Sequence, residues 1–487
     1  MVGQIAAEAL EAVCHVRDPQ AREAGAIRSI AVAKRQVANH NPHDWKAARI
    51  GSYLLVGEEP PTAGLFYTGY GCSRDHRTTG RAVDKRAGAG GIMGDGIAIT
   101  HADSTGVQPP SAALYRVGHG EPDDRPFQLS FLLHLDSDQP PAAAYRDAIR
   151  LFVVAEEIGY DCGWVIQRHF RQGNEHVSSP LVMLAAIAQH TTRIGLGTGV
   201  LVLPLADPLA VAEDAALLDS LSGGRLQLGI GSGPFPMAWE AFGRDPSQRH
   251  RLFDNSVRRL HAVLEGAPLN SAGEVLHPPS AGLRSRVWQA TTSDPSHAVA
   301  AATAAARAGD GLQFSRAKLK GQTASDQAAL IEAYRGAWVP NGSGAQPCGS
   351  AKPRVQVSRA LYPHKDRRSA IDAVAAGVRR WQTWLPPERG LAGLSVEEFI
   401  TQDQTLIGPA ESIAEGLAAD PALVHVTDLL VSFVPGVPDF VEHVRLLAAA
   451  AQEIAPLLGW HPADAAIAQS APPGSGRGAP RRPRSLD

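Results

Sequence analysis

Residues Arg193–Gly233 read RIGLGTGVLVLPLADPLAVAEDAALLDSLSGGRLQLGIGSG, and their reading decides the fold. Ile194–Leu203 is a short apolar run, the pattern of a strand buried on both faces. Asp207-Pro208 then opens a helix: an N-cap carboxylate accepts from first-turn N–H groups, and Pro needs no donor at the first helical position. Leu226–Ile230 is a further apolar run. Strand, helix and strand in succession imply parallel strands joined by a right-handed crossover.

The same unit repeats outward in both directions. Phe127–Leu135 is a strand, Ala142–Ile158 an amphipathic helix stopped by Gly159, and Cys162–Ile166 a second strand. Ser179-Pro180 opens the next helix, with Ser as N-cap. Beyond the deciding stretch, a helix runs from about residue 248 to 264 and a strand covers Val287–Ala290. Asp294-Pro295 opens another helix, followed by a strand at Gly311–Phe314 and a helix at Ser325–Trp338. Strands at Val355–Leu361 and Thr427–Phe433 are followed by helices at Arg367–Trp384 and Pro438–Leu458. Eight strands, each followed by a helix, favour a closed α/β barrel, the (β/α)8 TIM barrel, over an open doubly wound sheet. Such barrels build their sites from loops at the C-terminal strand ends.

The flanks differ from this core. Residues 1–125 read as an N-terminal extension, partly helical at Gln4–Val16 and Ala24–Val37 but largely irregular. Its Arg77–Gly96 segment holds six glycines with little apolar periodicity, too little to offset ordering entropy. Residues 126–460 form the barrel domain, and the Pro/Gly/Arg-rich segment 461–487 reads as a disordered tail. With 46 Lys+Arg against 49 Asp+Glu, the charge gives no reason to expect nucleic acid or an anionic membrane as partner. Cys14, Cys72, Cys162 and Cys348 are too scattered for a zinc site or disulfide framework. No signal peptide and no membrane-length apolar run are visible, so a cytoplasmic protein is expected.

The residues after each strand are therefore the candidates for chemistry. Gln167-Arg168-His169-Phe170 follows the second: His169 suits proton transfer near neutral pH, and Arg168 suits an anion. The same trio also reads as solvated loop. Gly229-Ile230-Gly231-Ser232-Gly233 lets backbone approach a flat ligand, or simply makes a tight turn. Thr291-Thr292-Ser293, just before the Asp294-Pro295 helix start, forms a phosphate-type anion site or an ordinary cap. Arg249-His250-Arg251 adds cationic groups to it, or is a charged face. His40 and His43 lack further ligands at metal spacing, so no metal is expected. The Gly/Ser/Pro-rich loop Val339–Lys352 is expected to be a mobile lid near the barrel rim.

These residues resemble bacterial luciferase and the luciferase-like flavin-dependent monooxygenases. The likeness is carried by WVIQRHF (164–170), the 193–233 block, AFGRD (241–245), the flavin-phosphate-like segment 286–316 and LIGPAESIAEGL (406–417), and covers about 127–460. The resemblance implies a barrel, often dimeric, that binds reduced FMN, or in some branches a deazaflavin, at its mouth. It implies that the FMN enzymes form a peroxyflavin with O2 to oxidise a small organic substrate, with a separate reductase supplying the flavin. It places Thr291, Thr292 and Ser293 on the phosphate loop, a cis peptide at Gly199-Val200 under the flavin ring, and Gly231 and Ser232 along ring and phosphate tail.

Two departures stand out. The family often has Glu-His-His-Phe where this chain has Gln167-Arg168-His169-Phe170, and Arg cannot act as a base at neutral pH. Either His169 takes over proton transfer or Arg168 stabilises an anionic species. Where bacterial luciferase puts an arginine on the phosphate, this chain has Ser232, and Arg249 or His250 is expected to supply that charge. The expectation is an FMN-dependent monooxygenase, with homodimerisation. Deazaflavin-dependent hydride transfer and non-catalytic flavin binding are the alternatives.

Overall fold

In the computed structural model, described residues are 125–135, 138–170, 175–280, 282–291, 295–315, 323–340, 349–383 and 390–463. The readings made on 1–124 and 464–487, on Thr292, Ser293 and Asp294, and on most of the 339–352 loop lie outside them. Eight parallel strands close on themselves: β1 Gln128–Leu133, β2 Cys162–Val165, β3 Gly195–Thr198, β4 Leu226–Gly231, β5 Val287–Ala290, β6 Gly311–Phe314, β7 Val355–Pro363 and β8 Asp428–Ser432. Closure is made at β8, where Asp428 stands opposite both Gln128 of β1 and Gln356 of β7. The expected (β/α)8 barrel is therefore the fold. Among the described residues no helix is long and apolar enough to cross a membrane.

The helices are α1 Pro141–Ile158, α2 Pro180–Ala188, α3 Pro208–Ser222, α4 Arg249–Leu264, α5 Pro295–Ala308, α6 Ala324–Gly336, α7 Arg367–Gln382 and α8 Phe440–Ala449. Asp207 caps α3 as expected, accepting from Leu209 and Ala210 N–H. Ser179 stands at the N-cap of α2 but makes no capping hydrogen bond with its side chain, so Pro180 alone marks that start. Gly159 ends α1 in the left-handed region, at φ 106°.

Two expectations need correction. The third apolar run is two pieces: β3 ends at Thr198, and Leu201–Val202 pairs separately with Ile230 and Gly231 of β4. Both pieces are apolar, so hydrophobicity alone reads them as one. Next, α7 is not the helix that returns the chain to the start of β8. β7 runs on to Pro363, Leu406–Gly408 pairs with its far end, and Ala410–Ala418 makes the return. α7 instead packs on the β8 exit, with Gly377 against the Pro435 carbonyl. The described parts of this excursion, residues 364–383 and 390–405, thus form a cap beside the barrel mouth. The described ends of the 339–352 loop bond to Ala306 and Gly309, where the chain enters β6, and the lid expected of the loop itself lies outside the described residues.

Strand alternation sorts the side chains. Phe131 faces outward and meets Phe152 of α1 edge-on, ring centres 5.0 Å apart. Inside, Trp164 and Trp288 meet edge-to-face at 5.8 Å and 89°, with Cys162, Leu430 and Leu132 around them. Gly197 and Gly311 sit against these rings, and a Cβ on either would overlap the indole. Inserting a methyl group into a filled core costs about 1–3 kcal/mol. Gly311→Ala is expected to lower the unfolding free energy by about that amount in urea titration. A midpoint equal to wild type would mean that the indole shifts freely.

Candidate active site

At the C-terminal mouth two glycine-containing segments come close together. The Gly199–Val200 peptide is cis. A Cβ on Gly231 would lie 2.6 Å from Val200 Cγ2, so this glycine is required for β4 to pass the peptide closely. Gln167 fixes the segment beyond it: its Oε1 accepts from Val202 N at 2.7 Å and its Nε2 donates to the Ser178 carbonyl at 2.8 Å. Trp239 Nε1 donates to the Gly233 carbonyl at 3.1 Å, holding the turn that follows Ser232. Gly199, Val200, Gly231 and Ser232 are thus brought to one shelf above Trp164.

A cationic corner stands where α4 and α5 begin. Arg249 Nη2 lies 3.2 Å from His250 Nε2, and Arg249 Nε is buried without a partner among the described residues. The His250 ring stacks on His297, with centres 4.4 Å apart and planes 9° from parallel. His297 lies in the first turn of α5, where backbone N–H groups lack intrahelical partners. Thr291 is fixed at the exit of β5 by its N–H bond to the Gln313 carbonyl. Arg249 and His250 therefore converge on the helix start that follows Thr291. The sequence reading missed His297; a His just inside the Asp294-Pro295 helix start was the available signal.

Arg168 and His169 point to different neighbours. The Arg168 guanidinium lies 4.9 Å over the Phe235 ring and donates to the Gln167 carbonyl at 3.2 Å. Phe235 belongs to the turn after β4, so Arg168 stands on the shelf side. His169 packs edge-on against Phe242 at 5.0 Å and beside Phe170 at 5.9 Å. Burial lowers its pKa, so the imidazole is neutral at pH 7.

A second cluster at the mouth escaped the sequence reading. His134, just after β1, places Nδ1 2.7 Å from Glu175 Oε1, and the Glu175 side chain is fully buried. The His134 ring meets Trp381 of the cap edge-on at 5.7 Å. His443 in α8 is pushed down to about 4, mainly by burial and then by the nearby His134. Phe127–Leu135 reads as a strand, and nothing in that run marks His134 apart from it.

A (β/α)8 barrel with a glycine-lined mouth and a cationic helix-start corner is the class that fold and site define. The profile of the luciferase-like monooxygenase family matches residues 126–423, and the chain belongs to that family. It is 37% identical over 134 residues to a 4-hydroxyprotoasukamycin monooxygenase of Streptomyces nodosus subsp. asukaensis, covering 28% of this chain and 36% of that protein. It is 34% identical over 130 residues to a limonene 1,2-monooxygenase of Rhodococcus erythropolis, covering 27% and 33%. The matches thus span about a third of these relatives' length. A monooxygenase structure from Streptomyces bottropensis superposes with TM-score 0.57 at 19% identity, covering 68% of this chain and 99% of that one. The oxygenating constituent of 3,6-diketocamphane monooxygenase from Pseudomonas putida, solved with FMN, gives 0.52 at 16%, covering 68% and 98%.

Two buried groups set opposing pH dependences of stability. His443 in the unfolded chain takes a proton near pH 6.5, but in the fold only near 4, so stability falls as pH drops through that window. Asp428, raised to about 7 by burial, keeps its proton in the fold where the unfolded chain has lost it, so its contribution is lost as pH rises toward 7. His443→Phe is expected to remove the first effect only. Urea titrations at pH 6.5 and 4 would then show the acid-side loss of unfolding free energy reduced by up to about 3 kcal/mol. An unchanged loss would refute the assignment.

Proposed function

We propose that this chain is an FMN-dependent monooxygenase that uses reduced flavin and O2 to oxidise a small organic substrate, with the flavin supplied by a separate reductase. The observation that carries the proposal is the pairing of the Gly199–Val200 and Gly231–Ser232 shelf with the Arg249–His250–His297 corner. The shelf suits a flat ring, since the cis Gly199–Val200 peptide and Gly231 bring two backbone segments close together there. The corner suits a phosphate, since Arg249 carries a buried, unpartnered Nε beside a helix N-terminus.

The flavin would supply the redox chemistry, while the chain binds, orients and excludes water. Arg249, His250 and His297 would hold the phosphate, with Thr291, Thr292 and Ser293 as the loop beside it. Gly199, Val200, Gly231 and Ser232 would line ring and tail. Arg168, which stays charged at any working pH, would stabilise developing negative charge. His169, neutral through burial, would be a proton acceptor at the rim. A homodimer in the cytoplasm completes the proposal.

The test is anaerobic titration of the protein with photoreduced FMN, then rapid mixing with O2. Bound flavin is expected to reoxidise at a rate distinct from that of free flavin, and the free-solution rate would overturn the proposal. Tight binding of a deazaflavin with no FMN binding would favour hydride transfer. FMN binding with no substrate oxidised across aldehyde, sulfonate and alkane panels would favour a carrier. Arg249→Ala is expected to weaken FMN binding at least about tenfold, the loss of one charge-assisted hydrogen bond. Equilibrium dialysis showing unchanged affinity would remove Arg249 from the phosphate site.

A further inference from the structure

Oxidation of reduced flavin by O2 needs a proton source, and Arg168 cannot change protonation state near neutral pH. Two imidazoles at the mouth can. His169 is packed among Phe170 and Phe242. His134 differs: it is held by a carboxylate. Its Nδ1 lies 2.7 Å from Glu175 Oε1, with the two side chains 8% and 0% exposed. An ionised carboxylate only accepts, so Nδ1 carries hydrogen and Nε2 is left to exchange a proton. Glu175 is itself fixed between two strand exits, because its neighbours His176 and Val177 bond to the backbone of Leu135 and Arg168.

Strand parity places His134 over the shelf. Leu132 faces the barrel interior, packing on the Trp164–Trp288 cluster, and a Cβ on Gly199 would lie 2.9 Å from Leu132 Cδ1. His134 is two residues further along the same face, at the mouth. His443 from α8 stays neutral, its Nε2 buried without a partner among the described residues. On the cap, next to Trp381, Arg380 is ion-paired with Asp138 at 2.5 Å. Glu175 is thus the carboxylate that can balance a charged His134.

We propose that His134 is a proton-exchanging residue of this site and that Glu175 is its positioning residue. The inference rests on the FMN reading above. In the absence of organic substrate, reduced flavin passes two electrons to O2. One proton leaves the flavin N–H, the second comes from Nε2 of protonated His134, and the products are oxidised flavin and H2O2. Water then reprotonates the imidazole.

The experiment uses the full chain as wild type, H134Q and E175Q, each first checked for a cooperative melt. FMN affinity, the reoxidation rate of bound reduced FMN from pH 6 to 9, and histidine ring NMR with and without FMN are measured. Affinity is expected to stay within about threefold. The wild-type rate is expected to fall about tenfold or more as pH rises through one inflection. That inflection should vanish in H134Q and move to lower pH in E175Q, where the countercharge is gone. FMN is expected to shift the ring signal that H134Q removes. A wild-type profile in either variant with FMN bound would overturn the inference, as would loss of the inflection in H169Q instead. If wild type binds no FMN, the underlying reading fails and the inference falls with it. If one variant does not fold, the other still decides.

Discussion

The edge-to-face contact of Trp164 and Trp288 is the constraint on which the barrel rests. Eight strands enclose an interior that must be filled, and here two indoles do much of it. Their size dictates what the neighbouring strands carry: Gly197 and Gly229 face Trp164, and Gly311 faces Trp288. The consequence reaches the mouth. A built Cβ on Gly199 would come within 3.3 Å of Trp164 Cβ, so the residue that plugs the barrel also sets the floor of the shelf. Core and site are therefore coupled here through one side chain.

What the sequence made legible follows from this. Apolar runs alternating with amphipathic helices reveal burial, and burial fixes strand count and order, so the eight-strand barrel could be read. The isomer of the Gly199–Val200 peptide could not be read from periodicity, and entered only through the family likeness. The role of α7 was misread for a physical reason: an amphipathic pattern says that one face is buried, not what buries it. His134, Glu175 and His297 were invisible because their meaning depends on neighbours far away in sequence, such as His250 for His297.

The distribution of charge between the two barrel ends carries the functional argument further. At the N-terminal end the charges are closed into structural pairs. Arg284 joins Asp310 and Glu265, His261 joins Asp310, and Arg125 joins Asp161, which also accepts from Leu129 N and Trp460 Nε1. Removing one partner of such a buried pair leaves an uncompensated charge, which is strongly destabilising. At the mouth the pattern changes. Arg168 rests on an aromatic face, Arg249 turns a buried Nε to no described partner, and two imidazoles stack on one another. The partnerless Nε of Arg249 is the feature of this corner that an anion would satisfy under the proposed reading. Glu175, a carboxylate fixed at this end, is held on His134 rather than in the corner.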